Sequence, residues 1–165
     1  MTKHTRIPTT ALAVTLVVLA LGACGNDPAE PAVDRELDDV RAATTQYASL
    51  DAALDAGYAD IDVVMQNMGH HFLREELLDA DFRVDSPEIL VYAPDAGGTM
   101  RLVAVEYAVP LALAENPPAG FTGDDDAWDR NETFQLWTLH AWVHRDNPDG
   151  VFASHNPTVV LETVE

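Results

Sequence analysis

Residues 88–109 read EILVYAPDAGGTMRLVAVEYAV, and this stretch decides the fold. Glu88–Tyr92 and Met100–Val109 are rich in Val, Ile, Leu and Tyr, side chains that suit a pleated, half-buried surface. Between them lies Pro94-Asp95-Ala96-Gly97-Gly98. Proline presets one turn torsion, aspartate bonds the backbone two residues on, and glycine admits positive φ. Two such runs around such a turn predict a β-hairpin. Alternation along the second run places Glu106 on the face of Leu102, Ala104 and Ala108. A carboxylate in so apolar a strand is costly to bury without a partner. The small neighbours leave room for an arginine, a histidine pair or a metal ion; a strand-end carboxylate facing solvent is the plain alternative.

Toward the amino end, Val33, Leu37, Val40, Ala43, Tyr47, Leu50, Leu54, Tyr58 and Ile61 recur at spacings of three and four. This predicts an amphipathic helix from Val33 to about Met65, kinked or split into a pair at Gly57. Leu73–Leu78 fits a short helix, and residues 114–131 form a loop with Pro117-Pro118 and the run Asp124-Asp125-Asp126. Glu132–His144 is rich in strand formers, yet Asp129 or Asn131 suits a helix start and His144-Arg145 its end. The balance favours a helix there. After the turn Asn147-Pro148-Asp149-Gly150, Thr158–Thr163 reads as a final strand. The expected class is α+β: an N-terminal helix or helix pair packed on a small antiparallel sheet containing the hairpin.

The extreme amino end has the layout of a secretory signal. Lys3 and Arg6 precede a run from Ala11 to Leu21 that is apolar apart from Thr15, shorter than the roughly 20 residues of a transmembrane helix. Leu21-Gly22-Ala23-Cys24 follows and resembles a bacterial lipobox. The expectation is a lipoprotein: signal peptide 1–23, a lipidated tether 24–32 carrying diacylglyceryl and palmitate-type chains on Cys24, and one globular domain 33–165. That places it in the cell envelope, on the outer face of the cytoplasmic membrane or in the outer membrane. Cys24 is the only cysteine, so an acylated chain has neither a disulfide nor a cysteine nucleophile. Without Lys3 and Arg6, seven arginines face 28 acidic residues, a net of −21. Such a surface repels nucleic acid and anionic headgroups. It leaves cations, small polar ligands or basic proteins as partners, or simply serves solubility.

Beyond the signal there are five histidines, His70, His71, His140, His144 and His155. Neutral imidazole is a common ligand for zinc, copper and iron, often joined by carboxylate. His140 and His144 could share an ion on a helix, at roughly 6 Å, but stand about 13 Å apart on a strand. The residue after His140 is Ala141, where zinc peptidases with this spacing carry a glutamate base. Met65 and Met68 beside His70 and His71 add soft thioethers that suit copper, although methionines at helical spacing also fill cores. No Gly-x-Ser-x-Gly, phosphate-binding glycine loop or calcium-binding loop is present. An enzyme is therefore the weaker expectation.

Met68-Gly69-His70-His71-Phe72, Pro87-Glu88-Ile89-Leu90-Val91-Tyr92, Val105-Glu106-Tyr107, Leu139-His140-Ala141-Trp142, Asn147-Pro148-Asp149-Gly150-Val151-Phe152 and Asn156-Pro157 together resemble a family of exported microbial proteins of unknown function. The resemblance spans residues 45–160 and implies export and a shared fold, not a reaction. His71, Glu106 and His140 fall inside these blocks, which makes them the leading candidates for a zinc, iron or small-ligand pocket. His70, His144 and His155 depart from the family pattern and, with Met65 and Met68, are weaker candidates. A structural or protein-interaction role without metal, and a metal-dependent enzyme, are the competing readings.

Overall fold

The computed structural model describes Met1 and residues 31–161; the expected signal peptide and lipidation site at Cys24 lie outside the described residues. None of the described helices is long and apolar enough to cross a membrane. The chain is α+β. Helices α1 (Ala32–Thr44) and α2 (Leu50–Asp55) precede strands β1 (Ala59–Met65), β2 (Gly69–Leu73), β3 (Ile89–Pro94), β4 (Met100–Pro110), β5 (Asp129–Asn131) and β6 (Leu136–Ala141). The strands form one antiparallel sheet in the order β1-β2-β3-β4-β6-β5.

The hairpin expected around Pro94–Gly98 is β3–β4. Asp95 builds its turn: the carboxylate accepts the Gly97 and Thr99 N–H groups, and the Asp95 N–H donates to the Thr99 carbonyl. Four local expectations need correction. The helical pattern does not run to Met65, and its division into a pair falls not at Gly57 but between α1 and α2, where Thr45–Tyr47 tightens to a 3-10 turn and Ser49 is extended. At Gly57 (φ +94°) the Tyr58 N–H reaches back to Ala53 O and the Gly57 N–H to Leu54 O, a Schellman closure that ends the helix. The β-branched residues beyond it then pair as β1. Residues 132–144 contain a strand, not a helix, because β6 pairs along nearly all of its length with β4. Leu73–Leu78 contributes the end of β2 and one 3-10 turn, Glu75–Leu77. The described part of the expected last strand, residues 158–161, is turn and irregular backbone. There the Asn156 side chain accepts both the Thr158 N–H and its hydroxyl.

The two faces of the sheet carry separate cores. On one, Leu37, Val40 and Ala53 join Phe72, Leu90, Tyr92, Leu102, Val105, Tyr107 and Leu139. On the other, Ile89, Val91, Ala93, Val103, Ala104, Ala108 and Trp142 cluster. Along β4 strict alternation fails once. Val91 pairs with Ala104 but Tyr92 with Leu102, so Val103 is an extra residue. Val103 and Ala104 then both face the second core, while Leu102 turns to the first. The sequence reading that put Leu102 beside Glu106 is corrected by this bulge. A second irregularity lies between Asp60 and Val64 of β1. Bulges raise local twist, and the sheet curls until residues of both its edges, Ile61 and Val63 of β1 and Asn131 of β5, line one cavity.

Candidate metal centre

Glu106 and His140 are direct cross-strand partners on β4 and β6, so their side chains share a face. His71 comes from β2, in register with Val91, which in turn faces Ala104, two residues before Glu106. The methyl group at Ala104 keeps this stretch of β4 low, and the curl of the sheet brings the β2 imidazole across it. His71 Nε2 lies 3.7 Å from one Glu106 oxygen, and His140 Nε2 lies 3.7 Å from the other. The imidazole rings stand nearly perpendicular, at 89°, with centroids 6.3 Å apart. One donor atom from each residue falls within 4.8 Å of the other two, and all three residues are buried.

These separations are too long for hydrogen bonds. His140 Nε2 in fact has no partner at all, an arrangement that costs free energy in a buried site. They are close to the spacing of ligands around one ion: metal–nitrogen bonds near 2.0–2.1 Å give tetrahedral edges of about 3.3 Å. His71 Nδ1 is 3.0 Å from the Val63 carbonyl. A carbonyl only accepts, so Nδ1 carries the hydrogen and the neutral ring offers its Nε2 lone pair to the cluster. Such a second bond typically fixes a ligating histidine.

Burial works against the charged form of all three side chains. It lowers the His71 pKa against the attraction of Glu106, and it raises the Glu106 pKa against His71 and the Thr138 hydroxyl. Burial takes His140 down to about 4. His140 therefore stabilises the fold fully above its unfolded value of 6.5, and this share is lost as pH falls toward 4.

The cavity above the cluster has a volume of about 310 Å³. Its walls are Ile61, Val63, Met65, Met68, Leu73, Leu78, Ile89, Phe134 and Leu136, and His71, Glu106, Asn131 and Thr138 supply its polar lining. Met65 and Met68 thus share the cavity with His71. The other weaker candidates stand elsewhere. His70 borders a separate groove with Pro94, Asp95 and Arg145. His144 Nε2 is 2.7 Å from the Thr44 hydroxyl, and His155 is exposed. The His140–His144 chelating pair fails because β6 is extended and ends at Ala141.

Glu88 is a buried carboxylic acid that the sequence reading passed over. Oε2 accepts the Ala108 N–H at 3.0 Å, while Oε1 has no partner. Burial raises its pKa to about 7. Its share of stability is full below the unfolded value of 4.5 and is lost as pH rises through 7. Glu88→Gln keeps an acceptor for Ala108 and removes this titration. Relative to the parent, the variant should gain about 3 kcal/mol of stability between pH 4.5 and pH 8. Urea midpoints of both proteins at the two pH values measure this; equal changes would show that Glu88 ionises freely.

No protein-family model, curated protein or solved structure matches the chain.

Proposed function

We propose that this chain is an exported, lipid-anchored binding module that holds one divalent transition metal between His71, Glu106 and His140. Zinc, iron and copper are the ions to test. The observation that carries this reading is the convergence of three buried donor atoms, none of which is hydrogen-bonded to another. Two imidazoles and one carboxylate form a donor set that suits zinc and ferrous iron. In this reading Cys24 carries the lipid, the resemblance to exported microbial proteins supports a place in the cell envelope, and the acidic surface keeps nucleic acid away. The helical segment before β1 is the amphipathic N-terminal cover of the sheet face opposite the metal.

Binding is favoured over catalysis because the cavity lining offers no second carboxylate or free histidine to act as a base. Its other polar residues are Asn131 and Thr138. The test is zinc, ferrous iron or cupric ion added to protein lacking any histidine tag. A metal at about a thousand times its Kd adds about 4 kcal/mol, which raises the melting temperature by about 10 °C in a domain of this size. A chelator should reverse the shift. Absence of a shift with every ion, together with no metal in elemental analysis of the purified protein, would end this reading and leave a structural or protein-interaction role.

A further inference from the structure

Resting on the metal reading, we propose that the cavity seats a small amphiphile, with a monoanionic head such as a carboxylate on the metal and an apolar body along the walls. Three protein donors leave at least one coordination position of the ion open. The walls above the cluster are nine apolar side chains, and its polar residues are two of the donors with Asn131 and Thr138. A strongly hydrated ligand would lose water against these walls without replacement. The volume, about 310 Å³, holds about ten non-hydrogen atoms at the roughly 30 Å³ that one water occupies in the liquid.

Charge selects the head. A divalent ion with the Glu106 carboxylate carries one net positive charge, and neither arginine nor lysine lines the cavity. One anionic group neutralises the site; a phosphate dianion would leave a buried negative charge with no cation to meet it. The body has a way in, because Ile61, Met65 and Phe134 of the cavity wall are also solvent-exposed, Phe134 at 48%. Apolar side chains open to water at the mouth of a cavity mark a ligand-binding surface.

Octanoate, with ten non-hydrogen atoms, is the probe, and propionate carries the same head without the body. Each buried methylene multiplies affinity about fourfold, so with five more of them octanoate should bind the zinc-loaded protein about 1,000-fold more tightly than propionate, as read by calorimetry. Phe134→Ala should weaken octanoate about fivefold and leave zinc affinity unchanged. Zinc binding with no preference for octanoate over propionate overturns the inference and spares the metal centre. Equal octanoate affinity with and without zinc overturns the placement of the head. Failure of zinc itself to bind removes both.

Discussion

Glu106→Met is expected to abolish the metal-induced rise in melting temperature and, in metal-free buffer, to make the fold more stable. Glu106 is 6% exposed and lies among Ala104, Ala108 and Ile89 on one face of the sheet. Without an ion, burial opposes its ionised form. Replacing a whole buried ionic group with apolar side chains of similar volume is often neutral or stabilising by about 1–4 kcal/mol, and removing Glu106 alone follows that rule because burial disfavours the charged form of both histidines, so no buried charge is left unmatched. The substitution creates no new orphan among the histidines, since His140 Nε2 already lacks a partner and His71 keeps the Val63 carbonyl. Only the Thr138 hydroxyl loses a contact. The metal-free melting temperature should therefore rise by about 2–10 °C, while the zinc shift disappears. Glu106→Gln, which keeps the shape, should lower zinc affinity at least 100-fold, above the roughly 10–100-fold that follows loss of an outer supporting group. Calorimetric scans with and without zinc decide the matter. A metal-free protein weakened by Glu106→Met would mean that the cluster exists to hold the fold together.

Gly69→Ala should be among the most destabilising single-methyl additions in the domain. Gly69 opens β2 at φ +126°, and a Cβ there would sit 2.4 Å from the Tyr92 carbonyl oxygen and 3.1 Å from a Val91 methyl. The first of these is backbone in the middle of the sheet and cannot yield without breaking the β2–β3 register that positions His71. Backbone strain of about 1–3 kcal/mol adds to overpacking of similar size, for a loss of about 2–6 kcal/mol. Gly98→Ala is the control. It shares a positive φ, +78°, but has nothing within 4 Å, so it should cost about 1 kcal/mol. Denaturant midpoints for the pair separate close approach from backbone strain alone; similar losses would mean that β2 and β3 can part at this point.

The hairpin and Glu106 were legible for the same reason. Both are written in local contrast: Val, Ile and Leu runs set against Pro-Asp-Ala-Gly-Gly, and one glutamate set against an oily strand; His71 and His140 stood out from the other histidines only through the resemblance. The end of α2 was harder to read. Tyr58, Ile61 and Met65 continue the three-and-four spacing of the helix, and only the Gly57 backbone closure interrupts it. The segment around His140 was undecided for a different reason. Its capping residues are credible at both ends, and a tertiary fact, pairing with the long strand β4, overrides them. Glu88 escaped notice because it stands just before β3, where a carboxylate normally meets water; here it is 1% exposed. The apolar cavity was illegible altogether, since Ile61 and Phe134 are 73 residues apart and meet only because the sheet curls.

The supernumerary Val103 has a consequence for how this site is encoded. Remove that one residue and both flanks of β4 keep their partners on β3, Glu106 still opposite Ile89, but the bulge and the extra twist it gives the sheet are gone. The approach of His71 to Glu106 and His140 thus leans on curvature as well as on chemistry, and a one-codon deletion that touches none of the three would flatten the strand beneath them.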